Sequence, residues 1–252
     1  MHQRIVLITG GSRGLGKNAA LTLAAKGVDV LITYHSKQQE AQDVVEEIQR
    51  MGRKSAAIPL NVGDSSTFST FVSMVSEQLN VLWQRDTFDD LLNNAGIGIN
   101  ASFADTTEAQ FDLLMNIHLK GPFFLTQQLL PLLADGGRIL NVSTGLTRFA
   151  LPGKAAYAAM KGAMEVLTVY QAKELGSRGI AVNIIAPGAI ATDFGEGEVR
   201  DNPQIAKAIA SQTALGRVGQ PDDIGQAITA ILSENMGWVN AQRIEVSGGM
   251  FL

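Results

Sequence analysis

Short runs of Val, Ile and Leu alternate along the chain with longer stretches whose apolar residues recur every three to four positions. The runs are Ile5 to Ile8, Val28 to Thr33, Ala56 to Leu60, Leu91-Leu92, Arg138 to Val142 and Ile180 to Ala186. They are apolar at successive positions, which predicts strands buried on both faces, as in a parallel sheet. The intervening periodic stretches predict helices over Leu15 to Lys26, Gln38 to Met51, Ser66 to Leu79, Glu108 to Leu133 and Ala155 to Leu175. Gly27, Gly52 and Gly176 stand where three of these helices end, and predict left-handed C-caps. Strand and helix therefore alternate as a repeated unit. Such a series predicts an α/β fold: one domain over 1–252, a doubly wound parallel sheet with helices on both faces, and ligands at the carboxyl ends of its strands. The one strand-poor stretch runs from Gly188 to Glu234. It opens with Gly195 and Gly197 and holds two short helical patterns, and its 188–220 portion reads as a substrate lid.

Composition removes several alternatives. With 46% hydrophobic and 17% charged residues the chain is an ordinary globular one, not a disordered one. Its net charge of -4 comes without a basic block, so nothing supports nucleic-acid binding. There is no cysteine, which excludes disulfides and thiolate chemistry and makes a cytoplasmic location the default. Only Met1 to Arg4 precede the first apolar run, which is itself too short for a signal-peptide core or a membrane span.

Two local patterns carry candidate chemistry. Directly after the first predicted strand stands Thr9-Gly10-Gly11-Ser12-Arg13-Gly14-Leu15-Gly16, with a helix beginning inside it. Glycines let the backbone approach a pyrophosphate, and the helix N-terminus offers that anion free N–H groups. In a chain with 26 glycines the spacing alone says little; its position between strand and helix decides the reading. The second pattern is Tyr157 and Lys161, four apart on one helical face. An ammonium beside a phenol favours the phenolate and lowers its pKa from about 10, which suits proton transfer. A solvated helix face would also explain the pair.

In order along the chain come the glycine turn, Asn93-Asn94-Ala95-Gly96, Asn116, Ser143-Thr144, Tyr157-Ala158-Ala159-Met160-Lys161, Pro187-Gly188 and Glu245-Val246-Ser247-Gly248-Gly249. This set resembles the short-chain dehydrogenase/reductase family in its single-domain branch, over nearly the whole chain. The resemblance implies a Rossmann-type fold and hydride transfer between a nicotinamide and a carbonyl or alcohol carbon. It implies that Tyr157 is the general acid in reduction and the general base in oxidation. Lys161 would tune Tyr157 and hold the nicotinamide ribose, and Asn116 would hold a water of a proton relay. A hydroxyl thirteen residues before the tyrosine would bond the substrate oxygen. That position is Thr144, where the family usually has serine, and its neighbour Ser143 remains the alternative. By the same resemblance Asn61 and Val62 would meet the adenine edge, Asn94, Ala95 and Gly96 the adenosine side, and Ile190 and Thr192 the carboxamide beyond Pro187-Gly188.

The second strand runs out through Tyr34-His35-Ser36-Lys37 with no acid to bind an adenosine ribose. Arg13, His35, Ser36 and Lys37 instead offer charge or hydroxyl donors to a 2′-phosphate, which predicts NADP(H). The leading expectation is reduction of a ketone or aldehyde, with 3-oxoacyl-carrier-protein reduction the closest named activity. Sugar or polyol dehydrogenation and a non-catalytic NADP(H)-binding regulator are the alternatives. No metal is needed, because His118 has no second ligand nearby and reads as packing. Arg148 and Phe149 are expected to edge the substrate pocket. The helices at 108–133 and 155–175 form subunit contacts in the family, which implies a homotetramer.

Overall fold

In the computed structural model, which describes residues 3–252, seven strands pair in the order β3-β2-β1-β4-β5-β6-β7, and every pairing is parallel. The strands are β1 (Ile5–Ile8), β2 (Asp29–Tyr34), β3 (Ser55–Pro59), β4 (Phe88–Asn93), β5 (Leu133–Val142), β6 (Ala181–Pro187) and β7 (Arg243–Val246). The helices are α1 (Gly14–Ala25), α2 (Gln38–Arg50), α3 (Phe68–Trp83), α4 (Glu108–Met115), α5 (Gly121–Leu129), α6 (Ala155–Leu175), α7 (Glu198–Asp201), α8 (Pro203–Ser211) and α9 (Pro221–Ile231). Strand order reverses between β1 and β4, the switch point at which ligands bind in open α/β sheets.

Helices on both faces follow from strands with no polar side. Val6, Ile8, Val30 and Ile32 point into one core with α1, α2 and α9 residues such as Leu23, Val44 and Ile228. Ile5, Leu7, Leu31 and Leu91 point into the opposite core with Phe68 and Val75 of α3 and Leu125 and Leu129 of α5. The result is the single-domain Rossmann-type fold that the hydrophobic pattern predicts.

The helix expected over 108–133 is not continuous. α4 gives way to a π-helical turn over Asn116–Lys120, then to α5, and a single 3-10 turn over Leu130–Leu132 leads into β5 at Leu133. Pro122 has no N–H to return to residue 118, and the Gly121 amide reaches back five residues to the Asn116 carbonyl instead. β5 therefore begins five residues before the apolar run that predicts it. Gly27 and Gly52 do adopt left-handed angles (φ 88° and 76°), as expected. Gly176 does not: its φ is -60°, and a 3-10 turn carries the chain on to Gly179 at φ 67°. Arg178 in that turn donates to the carbonyls of Leu130 and Leu133 and pairs with Asp135, which holds the extra turn in place.

Candidate active site

The glycine turn is built by close approach. Gly10 and Gly14 have positive φ (68° and 55°), and a Cβ on Gly16 would lie 2.2 Å from the Gly10 carbonyl oxygen. The turn is tied to the ends of β2 and β4. Gly10 and Gly11 donate to the Thr33 hydroxyl and carbonyl, and the Thr9 hydroxyl accepts from the Asn94 and Ala95 amides at 3.0 Å each. The Asn94 side-chain amide donates to the carbonyls of Thr9 (2.9 Å) and Gly10 (3.1 Å). Asn94 thus braces the turn itself, a role its place in the sequence does not disclose. Ser12 is buried and Leu15 half-buried, and α1 begins within the turn at Gly14.

Residues expected around the adenosine lie at the same edge, several with their polar groups already engaged. Tyr34 is half-buried, and His35, Ser36 and Lys37 are exposed beyond β2. Lys37 pairs with Glu40 at 3.1 Å, and Arg13 pairs with Asp193 at 2.6 Å. The Asn61 side chain accepts from the Gly63 amide (3.0 Å) in a local turn, and Val62 packs into the α3 core. A Cβ on Gly96 would meet the His118 ring at 2.7 Å, so glycine is required there for packing. Gly188 follows Pro187 at the end of β6 and donates to the Val246 carbonyl of β7. Ile190 bridges to Gly219, and the Thr192 hydroxyl accepts from the Phe194 amide.

Tyr157, Lys161, Thr144 and Ser143 come together beside the end of β5. Lys161 is buried, its Nζ donating to the Val142 carbonyl at 2.7 Å and lying 5.8 Å from the Tyr157 ring centre. Burial pushes Lys161 down to about 8. Tyr157 keeps partial exposure, yet the density of protein around it raises the phenol above its ordinary value. This direction is opposite to the lowering that the Tyr157–Lys161 spacing suggests. No side chain or backbone group among the described residues hydrogen-bonds its hydroxyl.

The two hydroxyls before it have different fates. Ser143 is buried and donates to Glu165 Oε1 at 2.6 Å, which consumes it. The Thr144 hydroxyl caps the Gly145–Thr147 turn, accepting from the Leu146 amide at 3.3 Å, and so keeps its own hydrogen to donate. Asn116 opens the π-turn, its carbonyl receiving the Gly121 amide.

Sequence reasoning missed His118 and Phe194 as neighbours of Tyr157. The His118 ring stands edge-on to Tyr157 at 5.1 Å, and Phe194 lies 6.1 Å away on the other side. The His118 Nε2 lies 2.8 Å from the Ile97 carbonyl oxygen and 3.3 Å from the Ile97 amide nitrogen. Burial and nearby Lys161 push this histidine down to about 3, and it is neutral. Arg148 and Phe149, expected to edge the substrate pocket, are engaged with the C-terminal tail. Arg148 is bound to Glu245 and to the Met250 and Phe251 carbonyls, and Phe149 stacks on Phe251 at 4.6 Å. A cavity of about 300 Å³ is lined by Ser102, Phe103, Leu146, Leu151, Pro152 and Ala158 among others. A small adjoining one reaches Tyr157 past Ile99 and Leu114.

A sequence profile described as Enoyl-(Acyl carrier protein) reductase matches residues 10–251, from the glycine turn to the last strand's tail. The chain belongs to the short-chain dehydrogenase/reductase family. Among its relatives is the 3-oxoacyl-[acyl-carrier-protein] reductase FabG of Staphylococcus aureus, 35% identical over 98% of this chain and 97% of that protein. The hydroxynaphthalene reductase-like protein Arp2 of Metarhizium brunneum is 32% identical over 98% and 94%. Similar solved structures include the reductase LugOII, described as catalysing keto-reduction at C1 in lugdunomycin biosynthesis (TM-score 0.94, 34% identity, 99% and 98% covered). Another is the angucycline C-6 ketoreductase LanV with bound NADP (TM-score 0.93, 31% identity, 98% and 95% covered). As a short-chain dehydrogenase/reductase with its Tyr-Lys pair intact, the chain is a catalytic oxidoreductase of CH–OH and carbonyl groups.

Proposed function

We propose that this protein is an NADPH-dependent ketoreductase of apolar substrates. The observation that carries the reading is the Tyr157 hydroxyl, unclaimed by the protein, with buried Lys161 one helical turn away. A phenol so placed can give its proton to a carbonyl oxygen in reduction and take one back in oxidation. The glycine turn fits a dinucleotide: Gly10 and Gly16 let it fold tightly against Ala95 and Asn94 at the N-terminus of α1, where a pyrophosphate would meet free N–H groups. Bound there, NADPH supplies the hydride to the carbonyl carbon. Tyr157 gives its proton to the carbonyl oxygen, Thr144 donates a hydrogen bond to the same oxygen, and Lys161 exchanges its Val142 contact for the ribose hydroxyls. Asn116 serves the water that reprotonates the pair. The walls of the 300 Å³ cavity fit an acyl chain or aromatic ring better than a sugar. The stretch 188–220 acts as the lid, with Phe194 already over Tyr157. Absence of cysteine agrees with a cytoplasmic setting, and no helix among the described residues is long and apolar enough to cross a membrane.

NADPH oxidation against 3-oxoacyl thioesters, aryl ketones and sugars, with NADH in parallel, tests this. Turnover of an apolar ketone with NADPH supports it; turnover of sugars alone, or tight NADPH binding without turnover of any member, overturns it. Arg13 is expected to leave Asp193 for the 2′-phosphate. Arg13→Ala should weaken NADPH binding by about tenfold and leave NADH unaffected; equal effects on both cofactors would remove Arg13 from phosphate recognition.

The helices α4, α5 and α6 expose Phe111, Phe123, Phe124, Val166, Val169 and Tyr170. A patch of this kind is covered in an assembly. Light scattering should give four times the 26.8 kDa chain mass, and Val169→Lys with Tyr170→Lys should shift it toward lower order. A monomeric wild type would exclude the homotetramer.

A further inference from the structure

Tyr157, Lys161 and Glu165 lie at successive turns of one face of α6, and the third of them takes no part in the chemistry above. Glu165 Oε1 accepts from Ser143 Oγ (2.6 Å), Thr147 Oγ1 (2.7 Å) and Arg243 Nε (2.7 Å). Arg243, on β7, donates through Nη2 to the Thr144 carbonyl and to Thr147 Oγ1, both at 3.1 Å, and through Nη1 to Glu245 at 3.0 Å. One planar guanidinium thus grips the backbone of Thr144 and the side chain two turns below Tyr157 at once. A guanidinium holds such a fork rigidly, whereas a lysine ammonium could satisfy only part of it.

The geometry points to Arg243 and Glu165 as positioning residues for Thr144. They act on its carbonyl and on the turn that follows it, fixing where its hydroxyl stands relative to Tyr157. Glu165 has a second effect, since it withdraws the Ser143 hydroxyl and leaves Thr144 as the donor to the substrate oxygen. The device rests on the reading of Thr144 as that donor. It also explains how threonine serves where the family usually has serine: the side chain has an extra methyl group, and the backbone that aims it is clamped from β7.

The test is a double-mutant cycle with acetoacetyl-coenzyme A and NADPH. Arg243→Met is expected to lower kcat by between about tenfold and a hundredfold, with the KM for NADPH within about twofold. Arg243→Lys should recover only part of the loss. In a Thr144→Ala background the same Arg243→Met change should cost nothing further, because the group it aims is gone. Full kcat in Arg243→Met beside a crippled Thr144→Ala overturns the positioning role alone. An added loss in the double variant does the same, since Arg243 would then act elsewhere. Normal kcat in Thr144→Ala overturns the reading of Thr144 and the clamp with it. Arg243→Met with Glu165→Gln removes both charges together and guards against misfolding from an unpaired carboxylate. Amide exchange over residues 144–149 needs no substrate: it should quicken about tenfold in Arg243→Met and stay unchanged in Thr144→Ser. Unchanged exchange in Arg243→Met overturns the clamp whatever the substrate.

Discussion

Replacing Tyr157 by phenylalanine is expected to lower kcat about a thousandfold while NADPH binding stays within about twofold. The ring would still pack between His118 and Phe194, so the site keeps its shape and loses only the acid. His118 cannot substitute as the acid, because burial keeps it neutral down to about pH 3. The pH profile of the wild type should separate catalysis from folding. Lys161 titrates at about 8 in the fold against 10.5 in a free chain. As pH rises through 8 the lysine loses its charge, and kcat/KM of the free enzyme should fall. Between 8 and 10.5 the unfolded chain binds the proton that the folded chain has released, so this group makes stability rise with pH across the same window. A loss of activity there accompanied by an unchanged or higher melting temperature is the expected signature. A Tyr157→Phe enzyme with wild-type turnover would remove Tyr157 from the mechanism.

Gly16→Ala is expected to be the most damaging small change outside the reacting groups. Its Cβ would stand 2.2 Å from the Gly10 carbonyl oxygen and 2.6 Å from the Asn94 side chain, neither of which is free to move. Asn94 is committed to Thr9 and Gly10, and Gly10 is held to β2 through Thr33. The turn must open, at about 3 kcal/mol, which for a chain of this size lowers the melting temperature by roughly 6 to 12 °C. Because α1 begins at this turn, NADPH affinity should fall by at least about a hundredfold. Thermal melts and a fluorescence titration read the two effects; a variant normal in both would mean that the turn does not cradle the pyrophosphate.

Much of this architecture is readable in the sequence because it is local. A run of apolar residues makes a strand, glycines after it make the turn, and four-residue spacing puts Tyr157 over Lys161. What escaped depends on competition between distant or unequal demands. The apolar period of 108–133 continues through Pro122, but a missing N–H shifts the helix register at Asn116, and periodicity does not register a single absent donor. Gly176 sits where a C-cap belongs, yet Arg178 finds carbonyls on another element and moves the cap to Gly179. Lys161 was expected to lower the Tyr157 phenol, and burial, invisible in a four-residue spacing, pushes it the other way. Arg13 meets Asp193 across 180 residues of chain. Glu165 alone was within reach, since it continues the 157, 161 series by one more turn.

The parallel sheet also sets when this protein can work. Gly188, past the end of β6, is held by the Val246 carbonyl of β7, and Thr144 on β5 is gripped by Arg243 of that same strand. β7 follows the other six strands in the sequence and, among the described residues, pairs with β6 alone. A nascent chain holding the glycine turn, Tyr157 and Lys161 therefore still lacks the strand that seats Gly188 and Thr144. Such non-local pairing makes folding slow, and the seats of Gly188 and Thr144 are complete only once β7 has joined the sheet.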